Sequence, residues 1–213
     1  MCASYGLDGS GRRIPMPDDL PPMSEQGPQQ LLAEWAAAWG GKANTSRTRK
    51  NGLTNLNPII WQDADGERRL ELAWWWLHVG GQPAKYTAFN SRDDALMSKW
   101  RRPFQHRAIL PANWYFEGKK RWALPGGEIF GMAAIMAPRT VGDETTISYS
   151  LVTRAGVGEA ATVITSRGDS RMPLVLPRDM HDDWLDPERP GDAELVTQVQ
   201  HGSDEISRAL TAA

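Results

Sequence analysis

The sequence predicts one α+β domain, built on a mixed and mostly antiparallel sheet with short helices around it, and three observations carry that expectation. Short apolar stretches of strand character, separated by Gly, Pro and Asp turns, fill residues 55–177. Helical spacing is confined to the two flanks and one short central segment. A chain of 213 residues with 40% apolar content can bury a full core, and it contains no internal repeat or low-complexity block.

Taken in order, the chain is loop by composition as far as Pro28. Leu31, Leu32, Trp35 and Trp39 then recur at helical spacing until Gly40 and Gly41 stop the pattern. Residues 45–50 are polar and aperiodic, with Arg47, Arg49 and Lys50 either solvated or facing phosphate. Pro58 enters a strand at Ile59, and residues 63–66 form a turn. Residues 68–77 alternate so that Leu70, Leu72, Trp74 and Trp76 share one face. Gly80 and Gly81 end that strand, and residues 85–90 run extended. Ser91 with Asp94 three residues on has the spacing of a helix N-cap, for a helix through Leu96 and Trp100 that ends before Pro103. Strands are expected at 107–110, 114–117, 122–124, 128–136, 147–153, 161–165 and 171–177. Residues 179–185 read as a helix, and the main domain is expected to end at 190, leaving 191–213 as an acidic C-terminal helix or tail.

Composition narrows the function. A mean hydropathy of −0.50 with no apolar run near 18 residues excludes a membrane-spanning helix. The opening residues lack the basic start and apolar run of a secretion signal, so a cytoplasmic protein is expected. One cysteine permits no internal disulfide, and His78, His106, His181 and His201 form no spaced cluster, so neither metal nor cofactor is expected. The net charge of −2 argues against a coat of positive charge for duplex DNA. That average conceals a sorting: residues 85–121 hold nine Lys or Arg against three acids, and residues 179–213 hold nine acids against two Arg. Most of the ten tryptophans are expected in the core. Even so, Trp74, Trp75, Trp76 and Trp100 lie in or beside the basic stretch, and aromatic faces interleaved with cations suit single-stranded nucleic acid.

The single cysteine is Cys2. Removal of Met1 would give it two nucleophiles on adjacent carbons, an α-amine with a pKa of about 7.7 to 8.0 and a thiol with one of about 8.5. Such a pair can trap one aldehyde twice, the amine as an imine and the thiolate by closing a five-membered thiazolidine. The alternative for Cys2 alone is a stray thiol on a frayed terminus.

Six stretches in order make the chain resemble the SOS-response-associated peptidase (SRAP) family: Met1 with Cys2; Asn55 and Pro58; Trp75 and Leu77; Asn90, Ser91 and Arg92; residues 109–117 from Ile109 to Glu117; and residues 171–176. The resemblance implies a curved sheet or open barrel around a DNA-binding cleft, and a covalent thiazolidine between Cys2 and the ring-opened aldehyde of an abasic site in single-stranded DNA. It further implies Cys2, Asn90, Glu117 and Asp169 as the reacting set, with Glu117 as acid and base and in the self-removal of Met1. Asn55, Trp75, Arg92 and Arg171 are implied as DNA contacts, Arg92 through its planar fork. The protein is expected to act as a monomer, nucleoid-associated when on DNA. Asp169 departs from the family, which has a histidine there; an ordinary aspartate is ionised at neutral pH and only accepts protons. Trp76 and Gly118 stand where the family tends to have glycine and tryptophan, which looks like traded bulk. Two other functions remain open: a single-stranded DNA-binding module without the chemistry, and a thiol peptidase acting on other proteins. The second is disfavoured because no histidine is placed by motif to activate the thiol.

Overall fold

A computed structural model describes residues 2, 4–8, 14, 20, 25–39, 44–45, 55–142, 144–165 and 168–212. Met1, Arg47, Arg49 and Lys50 lie outside the described residues. The strands in chain order are β1 (Ser4–Gly6), β2 (Asn44–Thr45), β3 (Leu56–Gln62), β4 (Arg68–Trp75), β5 (His78–Val79), β6 (Gln82–Pro83), β7 (Asn90–Arg92) and β8 (Arg107–Ala112). They continue with β9 (Trp114–Glu117), β10 (Lys120–Ala123), β11 (Phe130–Val141), β12 (Glu144–Ala155), β13 (Arg171–Pro173), β14 (Val175–Leu176) and β15 (Thr211–Ala212). The helices are α1 (Gln26–Trp39), α2 (His181–Leu185) and α3 (Ala193–Ala209).

Five strands close on themselves in the order β12, β4, β3, β8, β11 and back to β12, so the expected curved sheet is a closed barrel. Closure leaves no exposed edge within the ring. Only the β4 to β12 contact in this ring is parallel. β7 and β13 extend β12 outside the ring, and β14 extends β11. A second sheet, in the order β15, β10, β9, β1, β2, carries the N-terminal strand.

The β3–β4 hairpin turns at Asp63, whose carboxylate accepts the backbone N–H of Asp65 and Glu67. The face that Leu70, Leu72, Trp74 and Trp76 share is not the more deeply buried one: Ala73, Trp75 and Leu77 are fully buried, whereas Leu72 is 37% exposed. From Leu72 to Leu77 both faces are apolar, so alternation there could not orient the segment. Helix α1 begins before Pro28, which fits the first turn because its missing N–H has no intrahelical partner there anyway. It buries Leu32, Trp35 and Ala36, and Trp35 donates from Nε1 to the Leu56 carbonyl at 3.1 Å.

Two further expectations are corrected. Ser91 does not cap a helix; it lies in β7, buried, and donates to the Ser150 hydroxyl at 2.7 Å, and short 3-10 turns at Asp93–Ala95 and Pro103–Gln105 replace the helix. The strand expected at 161–165 is instead a 3-10 turn, Gly158–Thr162, followed by a single bridge from Ile164 to Ser170. Beyond 190 the chain forms the helix α3, which packs into the body: Asp192 caps it, Leu195 and Val199 are buried, and β15 pairs with β10.

Candidate active site

Pairing with β9 holds the N-terminal strand: Tyr5 lies opposite Tyr115, Gly6 opposite Trp114 and Ser4 opposite Phe116. A glycine is needed at Gly6 because a Cβ there would sit 2.6 Å from the Trp114 ring. β9 turns into β10 through Gly118 (φ 61°) and Lys119 (φ 65°), a two-residue hairpin of the kind that needs positive φ at both positions. A Cβ on Gly118 would also meet the Val163 side chain. Gly118 therefore answers its own turn, while Trp76 packs on Phe89 at 5.9 Å; the two do not exchange bulk.

This pairing brings Cys2 to the Glu117 end of β9, fully buried, its thiol 3.4 Å from the Ser4 carbonyl. Burial, with the Glu117 charge adding, pushes the thiol pKa up to about 12. At neutral pH the sulfur is therefore a protonated thiol.

Asn90 reaches the same residue from β7, donating from Nδ2 to the Cys2 carbonyl at 2.6 Å. Asn90 and Arg92 alternate with inward-facing Ser91, so they share the other face of the strand. Arg92 is half exposed and pairs with Asp94 at 2.6 Å and Asp169 at 3.3 Å. Asp169 also accepts the Thr165 hydroxyl at 2.5 Å. That hydrogen bond, with the Arg171 and Arg92 charges, holds its carboxyl below the usual carboxylate range. Asp169 is an acceptor and an anchor for Arg92, not an acid.

Asn55 and Trp75 are brought in from the barrel. Asn55 is buried, accepts from Asn57 Nδ2 at 3.2 Å and takes the Trp75 backbone N–H on its own carbonyl at 3.0 Å. Asn57 adjoins the Tyr149 hydroxyl, which sits 2.5 Å from that of Tyr5. Trp75 stacks on Tyr149 (centroids 6.1 Å, 6°) and meets Tyr5 edge-on at 4.9 Å. It is a wall beneath the site, with no surface on which a base could stack. Arg171 is likewise buried; it pairs with Asp93 at 3.0 Å and bonds Thr153, while Asp93 also accepts Gln200 at 2.7 Å. That network ties β12 and β13 to α3 and leaves no guanidinium facing a phosphate.

Among the described residues, four buried polar atoms in this region have no hydrogen-bond partner: Asn55 Nδ2, Asn57 Oδ1, Asn90 Oδ1 and the Tyr115 hydroxyl. Folded proteins rarely leave such groups unpaired without a functional reason. Donors and acceptors around a thiol and a carboxylate are suited to binding a small polar carbon centre such as a carbonyl.

Residues 23–211 match the family described as SOS response associated peptidase (SRAP). The chain belongs to the SRAP family. Its fold is similar to that of a Bordetella bronchiseptica protein (TM-score 0.59, 19% identity, 74% of this chain and 82% of that one). A phage-related protein from the same organism gives TM-score 0.56 at 18% identity over 74% and 78% of the two chains. A protein from Bacteroides thetaiotaomicron gives 0.52 at 21% over 68% and 67%. No curated protein matches this chain. The SRAP match begins after Cys2, so it is the β1–β9 pairing that brings the cysteine to Asn90 and Glu117. SRAP membership suggests a peptidase-like role and an association with single-stranded DNA, and the buried Cys2 is consistent with a role in the DNA-damage response.

Sequence reasoning missed Tyr5 and Tyr149, for which no local pattern exists, and Asn57 and Tyr115, which sit inside the Asn55 to Pro58 and Ile109 to Glu117 motifs and could have been noticed. It also overcounted the basic stretch. Arg107 points inward, Arg121 pairs with Asp8 and Lys120 with Glu159. Lys99, Arg101 and Arg102 remain on the surface, lining with Tyr86, Trp100 and His106 a cavity of about 550 Å³. Lys99 Nζ sits 4.0 Å from the Tyr86 ring centroid.

Proposed function

We propose that this SRAP protein recognises and shields abasic sites in single-stranded DNA, capturing the ring-opened deoxyribose aldehyde on Cys2 once Met1 has been removed. The observation that supports this best is the enclosure of Cys2: it is fully buried, Asn90 holds its backbone carbonyl while the Asn90 Oδ1 has no partner among the described residues, and Glu117 lies within electrostatic reach. With Met1 gone, the Cys2 nitrogen becomes a free amine beside the thiol. The amine attacks the aldehyde, the oxygen leaves as water, and the thiol adds across the resulting imine to close the thiazolidine. Glu117 accepts and returns the protons, in this reaction and in cleavage of the Met1 peptide bond. Asn90 positions the nucleophile, and Arg92, anchored by Asp94 and Asp169, meets a flanking phosphate. The high thiol pKa favours the order given, amine first and sulfur second. Lys99, Arg101 and Arg102 contribute the positive surface that draws in the strand.

The test is a denaturing gel of the protein mixed with an abasic single-stranded oligonucleotide, with intact mass on the same samples. A slow band that disappears in Cys2→Ala, on a protein lacking Met1, is the expected result. Retained gel-shift binding with no covalent band in the wild type would identify a DNA-binding module without the chemistry. Full adduct formation on molecules that keep Met1 would overturn the scheme.

A further inference from the structure

Among the buried groups at the site that the scheme above leaves without work is the Tyr115 hydroxyl. Tyr115 precedes Glu117 by two residues on β9, so strand alternation turns both side chains to the same face. Its ring is fixed: it stacks on Trp122 (centroids 6.1 Å, 8°), and Trp122 is anchored through Nε1 to the Glu117 carbonyl at 3.1 Å. The hydroxyl at the end of this rigid ring is buried and, among the described residues, unpaired. A phenylalanine would fill the same space without burying a polar group, and the next residue, Phe116, is one. Cys2, Glu117 and Glu159 all lie within electrostatic reach of this hydroxyl. Burial first, with those neighbours adding, keeps the phenol protonated at any physiological pH, so towards a bound carbonyl it acts as a donor. Asp169 cannot take that part, being ionised and tied to Thr165 and Arg92.

We propose that Tyr115 is a catalytic hydrogen-bond donor that holds the aldehyde oxygen while Cys2 attacks, a role that rests on the reading of Cys2 as an aldehyde trap. When the amine nitrogen bonds to the carbonyl carbon, the π pair of the C=O bond moves onto oxygen, and the Tyr115 O–H is aimed at that developing negative charge. The two amine protons pass through Glu117 to the oxygen, which leaves as water as the imine forms. The thiol then adds, sulfur to carbon and its proton to nitrogen. Tyr115 keeps its own proton throughout, so its raised pKa is no obstacle.

The experiment uses Tyr115→Phe, which removes one oxygen and keeps the ring. Adduct formation at Cys2 is followed by intact mass with two aldehydes in parallel, an abasic single-stranded oligonucleotide and the small open-chain glycolaldehyde. The expected result is a rate lower by on the order of 10²-fold with both, the usual cost of losing one oxyanion donor, at a melting temperature equal to or above that of the wild type. An unchanged rate with either aldehyde overturns the proposal, and so does a lower melting temperature, which would make the hydroxyl structural. Wild-type protein that captures glycolaldehyde but not the oligonucleotide would sink the DNA reading, leaving Tyr115 to be judged on the small aldehyde. Wild-type protein that captures neither removes both.

Discussion

Two polar clusters in the interior of this protein differ in how fully they are satisfied. Arg107, on β8, is 4% exposed and donates to four backbone carbonyls: Trp184 at 2.7 Å, Phe104 at 3.1 Å, Asp186 at 2.6 Å and Arg189 at 2.7 Å. Burial lowers its pKa to about 10, which still leaves it charged at neutral pH. In the cluster around Cys2, by contrast, Asn55, Asn57, Asn90 and Tyr115 each keep one buried polar atom unpaired among the described residues. A saturated cluster clamps chain segments together, here α2 and residues 186–189 onto the barrel. An under-satisfied one gives up stability to keep hydrogen-bonding capacity for something that binds.

That contrast can be broken by mutation. The largest effect is expected from Cys2→Ala, which should abolish the covalent band with abasic oligonucleotide while costing only about 1 kcal/mol of stability, as for a small buried group. Arg107→Met should do the opposite. Leaving four carbonyls without a donor is expected to cost about 3–5 kcal/mol in denaturant unfolding, with the adduct rate per folded molecule unchanged. A loss below about 1 kcal/mol would show that Arg107 is not a clamp. Asn90→Ala, which removes the hold on the Cys2 carbonyl, should slow capture roughly tenfold, the equivalent of one net hydrogen bond.

Alkaline pH sharpens the same comparison. The Cys2 thiol is raised to about 12, and the Tyr5 and Tyr149 hydroxyls are raised by burial as well, so the unfolded chain releases these protons before the folded one does. Stability is fully present below the unfolded thiol pKa of about 8.5 and falls as pH rises towards 12, with the thiol contributing up to about 1.4 kcal/mol per pH unit. Unfolding midpoints measured from pH 8 to 11 should decline, and decline less in Cys2→Ala; parallel slopes would contradict the burial of the thiol. The smallest effect is expected from Asp169→His. A side chain that can both give and take protons should speed release of captured DNA to a competitor by a few-fold, and equal transfer rates would remove Asp169 from the argument.

How much was legible depended on whether a residue's neighbours were local. Asn90 and Arg92 are two residues apart on a strand, so once β7 forms they share a face whatever the rest of the chain does. Asp63 and Gly66 announce their turn by their own chemistry. Trp75 was different, because Leu72, Trp74 and Trp76 alternate with Ala73, Trp75 and Leu77, and either set could have filled the core. Val163, Ile164 and Thr165 have strand propensity, but Gly158–Thr162 packs as a 3-10 turn and leaves Ile164 only a single bridge to Ser170. Arg107 and Arg171 read as surface cations because the groups that receive them, the carbonyls of residues 184–189 and the carboxylate of Asp93, lie about 80 residues away in sequence.

The sequence by itself determined the turns, the strand-rich centre and the family motifs, including a lone cysteine at position 2, since these depend on residue type and short spacing. Tertiary structure decided which face of β4 looks inward, which arginines become clamps, and that the phenol of Tyr115, on the Glu117 face of β9, is buried without a partner among the described residues. Those outcomes are set by barrel closure and by the β1–β9 pairing, where strands distant in sequence meet, and burial and hydrogen-bond satisfaction have no value until those strands are in contact.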